Sequence, residues 1–147
     1  MECSWVGKGD TCGAEAEIHY CIPLCDQHLS RFYSMMTRQL RQSAAYLGVE
    51  AFPGYCYVVL FPDETVKIGY SNTKETLKRR FRDLKREADK EGPGFEVLAV
   101  MAGGCAMEAV LHHRFHKSRI LGKGERFIFS DEIQDFLATA PRLSLDL

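Results

Sequence analysis

The sequence has no apolar run approaching the roughly 20 residues that span a bilayer. It also lacks, at its start, a basic region followed by an apolar core, so neither a membrane span nor a secretion signal is expected and a cytoplasmic setting is. There is no internal repeat and no low-complexity segment, which excludes solenoid and compositionally biased classes. Net charge is almost absent as well, at −1. A molecule so balanced does not adhere strongly to nucleic acid as a whole.

What the chain does have is the makeup of a folded protein. Of its 147 residues, 46% are hydrophobic and 27% charged, enough for one compact domain with a small appendage. The neutral sum hides a division. Residues 1–30 carry Glu2, Asp10, Glu15, Glu17 and Asp26 against Lys8 alone. Residues 74–86 carry Lys74, Lys78, Arg79, Arg80, Arg82, Lys85 and Arg86 against Glu75 and Asp83.

Four of the six cysteines fall within the first 25 residues, beside His19 and His28. In a chain expected to remain in a reducing compartment, such clustering points to a metal rather than to disulfides. The tetrad Cys3, Cys12, Cys25 and His28 is the cleanest set for a structural Zn2+. Cys25 and His28 are three apart and project together if a helix begins near Asp26. Cys3 and Cys12 come from a loop that Gly7, Gly9 and Gly13 allow to bend. His19 and Cys21 are the alternates. A segment of about 30 residues has too little apolar mass to fold without such a staple. Four protein ligands leave no place for an activated water, so the role is structural.

Residues 27–47 repeat Leu29, Phe32, Tyr33, Met36, Leu40, Ala44 and Leu47 at helical spacing, the stripe of a long linking helix ended by Gly48. Residues 55–61 (YCYVVLF) read as a buried strand, Pro62, Asp63 and Glu64 as a turn, and residues 65–69 (TVKIG) as the returning strand. A basic helix over 74–90 follows, with Leu77, Phe81, Leu84 and Ala88 as its buried stripe and Arg80 at the stripe's edge. Residues 95–101 make a third strand, and a helix over 105–117 carries Glu108 and His112 on one edge. After a glycine-broken loop at 122–126, Phe127, Ile128 and Phe129 form a short extended piece, Ser130 caps a last helix, and residues 141–147 read as a loose tail. The fold class is α+β, a small three-stranded mixed or antiparallel sheet flanked by helices. The domain plan is a zinc module at 1–30, a linking helix and linker at 31–52, a catalytic-type domain at 53–140 and a tail at 141–147.

The order of strand, strand, Arg-bearing helix, strand and Glu-bearing helix resembles the GIY-YIG nuclease superfamily over residues 53–138. Tyr55, Cys56 and Tyr57 correspond to its first motif, and Lys67, Ile68 and Gly69 to its second. It is most similar to the phage-associated branch, in which Lys-Ile-Gly is the usual second motif. The resemblance implies a metal-dependent DNA endonuclease. In it Glu108 holds Mg2+ or Mn2+, Arg80 braces the phosphate, Tyr57 takes a proton from the attacking water, and Lys67 favours the phenolate. Tyr70, Lys74, Lys78, Arg79, Arg82 and His112 are then candidate DNA contacts, and Glu125 a candidate buttress. Two alternatives remain open: a DNA-binding module that does not cut, and a phage- or defence-related factor whose acidic zinc end binds another protein.

Overall fold

The computed structural model describes residues 1–7, 10–19, 22–123 and 125–146. Cys21, Lys8, Gly9 and Gly124 lie outside the described residues, as does the side chain of His19. The chain divides into two compact units, Met1–Gln39 and Leu40–Leu147. No helix among the described residues is long and apolar enough to cross a membrane.

In the first unit, β1 (Val6–Gly7) pairs antiparallel with β2 (Asp10–Thr11), and β3 (Glu17–His19) with β4 (Ile22–Leu24). The ribbon of β1 and β2 therefore stands where the sequence suggested a loop. Strands of two or three residues are too short to show an alternating pattern. The helix α1 (Asp26–Leu47) begins directly after Cys25 and ends at Gly48, whose φ of 88° only glycine adopts without strain. Of the stripe read for α1, Ala44 is buried, whereas Tyr33 and Leu47 are exposed.

The second unit is built on β5 (Tyr55–Leu60), β6 (Thr65–Ser71), α2 (Lys74–Asp89), β7 (Glu96–Ala102), α3 (Gly104–Arg114), β8 (Arg126–Ile128) and α4 (Asp131–Ala138). The sheet runs β7-β5-β6-β8 and is antiparallel throughout, so it has four strands and not the three expected. The extra strand is the extended piece at Phe127, which pairs with Thr65, Val66 and Lys67 on the outer edge of β6. The helix expected over 105–117 stops at Arg114 and passes into a single 3-10 turn, His116–Ser118. The tail is held rather than loose. Leu143 N donates to Val100 O at 2.7 Å, Arg142 bridges Met101, and Leu145 packs on the core.

Alternation along β5 separates two cores. Cys56 and Val58 join Ile68, Met107, Leu111, Phe115 and Phe127 under α3, while Tyr57, Val59 and Phe61 join Leu77, Phe81 and Leu84 under α2. Each fully buried Leu or Phe in these layers contributes about 1.5–3 kcal/mol of apolar burial. The two helices thus cover opposite faces of the sheet.

One buried cation ties α2 to the hairpin. Arg126, 8% exposed, donates to Thr65 Oγ1 at 2.9 Å and to Glu87 Oε1 at 3.1 Å, and its guanidinium lies 3.3 Å from the centre of the Phe61 ring. Asp63 supports the same corner by accepting from the Thr65 amide and hydroxyl. These hydrogen bonds hold its carboxyl below the usual range.

Candidate functional site

The larger candidate site begins with Gly69. It pairs with Tyr57 across β5 and β6, and a Cβ added there would lie 2.6 Å from Cζ of the Tyr57 ring. Only a residue without a side chain lets the phenol lie across β6. There its hydroxyl accepts a hydrogen bond from Arg80 Nε at 3.1 Å. Arg80 is brought to that point by α2, which Thr73 starts with a capping box closed by Thr76. Among the described residues the two terminal nitrogens of Arg80 make no hydrogen bond, which leaves them to a ligand.

Glu108 arrives from the other face. Gly104, with φ 47°, starts α3 so close to Pro53 that a Cβ would lie 3.2 Å from the Pro53 carbonyl carbon. This entry sets α3 against β6. Since β8 covers only Thr65–Lys67, the next stretch of the β6 edge is open, and His112 Nε2 meets the Ile68 carbonyl there at 2.9 Å. A carbonyl only accepts, so Nε2 carries the proton. Burial keeps the ring neutral by pushing its pKa down. One turn earlier, Glu108 reaches round the same edge.

The result is a cleft of about 370 Å³ lined by Tyr57, Gly69, Tyr70, Ser71, Asn72, Thr76, Arg80, Glu108 and Glu125. Glu108 is 5% exposed, and among the described residues its carboxylate makes no hydrogen bond. His112 Nε2 lies 3.9 Å from its Oε1. Burial, then the negative charge of Glu125, raise its pKa to about 8 despite the opposing charge of Lys67. A buried carboxylate so poorly served is a costly arrangement that a bound cation would relieve. Tyr57 is 1% exposed, and burial raises its pKa even though Arg80 draws it the other way. Lys67 is not in the cleft wall. It pairs at 3.8 Å with Glu125, which is.

The other sequence candidates separate. Tyr70 lines the cleft, whereas His112 is occupied at the strand edge. Lys78 and Arg82 line a second groove of about 520 Å³ with Phe81, Lys85 and Phe95. Lys74 and Arg79 lie on α2 in neither wall. Sequence reasoning passed over Ser71, Asn72 and Thr76, whose only signal was their place between the second strand and the helix.

In the first unit, the ligand atoms of Cys3, Cys12, Cys25 and His28 all lie within 4.8 Å of one another. Cys3 Sγ is 3.4 Å and Cys25 Sγ 3.3 Å from His28 Nδ1, and the Sγ atoms of Cys12 and Cys25 are 3.9 Å apart. Metal–ligand bonds of about 2.3 Å to sulfur and about 2.0 Å to nitrogen give tetrahedral edges of roughly 3.8 and 3.5 Å, close to these separations. Burial works to raise the Cys3 thiol, yet hydrogen bonds from the Cys25 and Trp5 backbone and from His28 bring it down to about 6. Thiolate is the ligating form. Trp5 stacks on His28 at 5.0 Å and fixes the ring. The cluster suits a metal ion such as Zn2+.

Comparison with protein-family models, with curated proteins and with solved structures finds no significant match.

Proposed function

We propose that the chain is a metal-dependent DNA endonuclease of the GIY-YIG type, with a structural Zn2+ in its first unit. The observation that carries this reading is the meeting of Tyr57, Arg80 and Glu108 in one cleft from three separate elements. They are the residue types that phosphodiester hydrolysis needs. A guanidinium binds nonbridging oxygens through a planar fork, and Arg80 has its terminal nitrogens available for that. Tyr57 fixes the orientation of the fork through Nε. Glu108 is the residue that would hold Mg2+ or Mn2+, and either ion when bound supplies Lewis-acid polarisation of the phosphate and stabilises the departing oxygen. The cations of α2 and Tyr70 position the nucleic acid through its backbone, without sequence information.

A plasmid-nicking assay with Mg2+ or Mn2+ tests this. Wild-type protein is expected to convert supercoiled DNA to open circles, and Glu108→Ala and Arg80→Ala to lose that activity by about 10²-fold or more, on the order found when a single charge-stabilising group is removed. Equal activity in all three removes the reading.

A second reading has one observation in its favour. Glu15, Glu17 and Asp26 line a groove of about 440 Å³ in the first unit. An acidic surface repels a duplex and suits a basic protein partner. On that reading the zinc-bearing end directs the protein to a partner. A DNA-binding domain that does not cut would instead bind the plasmid and leave it intact.

A further inference from the structure

The nuclease reading leaves open which group takes the proton from the attacking water, and the geometry does not favour Tyr57. Its side chain is enclosed, its hydroxyl oxygen already accepts from Arg80, and its ring is wedged against Gly69. A phenol titrates near 10 in water, so only about one in a thousand is ionised at neutral pH, and burial here lowers that fraction further. Glu108 is equally unsuited, being enclosed and the residue best placed to hold the cation.

Two ionisable groups remain in the cleft wall, Tyr70, a second phenol and as weak a base as the first, and Glu125. Glu125 stands on the loop before β8, with its side chain 37% exposed. Among the described residues its one ion-pair partner is Lys67, at the loose separation of 3.8 Å. A carboxylate open to water has a lone pair that incoming water can reach, as a proton acceptor requires. Glu125 and Arg80 line the same cleft, so the water of a bound phosphate's surroundings lies in the space that the carboxylate faces. We propose that Glu125 is the catalytic proton acceptor of this site. This assignment rests on the nuclease reading.

In the reacting cleft the water O–H bond breaks and its proton passes to a Glu125 carboxylate oxygen. The electron pair left on the water oxygen forms the new bond to phosphorus. The phosphorus bond to the leaving nucleotide oxygen breaks, that oxygen keeps the electron pair and takes a proton from solvent, and Glu125 later returns its own proton to solvent. One water is consumed, leaving one phosphate monoester and one hydroxyl end.

Single-turnover cleavage of supercoiled plasmid by wild type, Glu125→Ala and Tyr57→Phe, each with and without added formate, tests the assignment. Glu125→Ala is expected to slow cleavage by about 10²–10⁴-fold, the usual worth of a general base. Formate, a small carboxylate that can enter the vacated space, is expected to restore the rate in proportion to its concentration. Plasmid affinity does not fall, because Glu125 makes no contact that favours an anion and its loss takes a negative charge out of the cleft. Tyr57→Phe slows cleavage by only about tenfold, through loss of the Arg80 bond, and formate leaves it unaffected. Full activity in Glu125→Ala, or a loss that formate does not relieve, overturns the assignment and leaves the nuclease reading standing. A wild-type protein that leaves the plasmid intact with either metal removes both.

Discussion

Arg80 Nε donates to the hydroxyl of Tyr57 across 3.1 Å, joining a helix on one face of the sheet to a strand at its centre. The bond draws on one nitrogen and aims the other two, so geometry matters here as well as charge. Arg80→Lys keeps the charge but places a single ammonium where a fork is needed. Its rate of plasmid nicking is expected to fall by about 10²-fold, with thermal stability within about 1 kcal/mol of wild type because Arg80 is largely exposed. Nicking by the lysine variant at the wild-type rate would show that the fork is not used.

Glu108 sets stability against function. In the unfolded chain it titrates near 4.5, and in the fold near 8. The folded state therefore holds the proton more tightly. Stability is complete below pH 4.5, declines as pH rises through the interval to 8, and stays at its reduced level above that. The difference is a few kcal/mol at most, since part of the site is wet. In Mg2+-free buffer Glu108→Gln is accordingly expected to melt higher than wild type at pH 8 and equally at pH 4.5, while losing nicking altogether. Thermal melts at the two values check this. A wild type whose stability climbs between about pH 5 and 8 relative to the variant would contradict it.

For the first unit the expected outcome is loss of structure with loss of metal. Cys3, Cys12, Cys25 and His28 supply the four ligands that a tetrahedral site takes. Purified protein is expected to carry one zinc per chain. Cys25→Ser and His28→Ala should release it, and Cys21→Ser should not. Since apparent zinc binding in small modules is worth about 10 kcal/mol or more, the released forms should be cut by protease within residues 1–39 while residues 40–147 persist. Zinc content by atomic absorption and limited proteolysis measure the two halves of this prediction.

How much of the fold was legible beforehand depended on how far each signal reached along the chain. The hairpin of β5 and β6 and the helix α2 carry their own period and turn residues, and their bounds were readable to within about two residues. The Cys/His tetrad was readable because Cys25, immediately before α1, and His28, in its first turn, stand three residues apart. The fourth strand was not, since Arg126–Ile128 is three residues long and its partner Thr65–Lys67 lies far earlier in the chain. Nor was the burial along α1. Periodicity shows which face of a helix could be covered, not whether anything covers it, and Tyr33 and Leu47 stand exposed. In the sequence Arg126 is one more loop cation, because its partners Thr65, Glu87 and Phe61 come from distant positions.

Gly69 gives the sharpest test of how backbone space becomes chemistry. Its φ is not in the left-handed region, so alanine meets no backbone strain there. What it meets is the Tyr57 ring, at 2.6 Å from Cζ. Tyr57 cannot retreat, because Phe81 stands edge-on to it at 5.4 Å between ring centres and the core around it is closed. Gly69→Ala must therefore tilt the ring or part the strands, at a cost of about 1–3 kcal/mol typical of overpacking. Either movement takes the hydroxyl away from Arg80. The expected result is a folded protein, less stable by that amount in urea, whose nicking falls at least as far as that of Tyr57→Phe. Combining the two substitutions discriminates between a local and a general effect. Phenylalanine in place of Tyr57 removes the oxygen but leaves Cζ, at 2.6 Å, in the path of the added methyl group, so the double variant should recover only part of the stability lost in Gly69→Ala. Losses that simply add would mean the two residues do not meet.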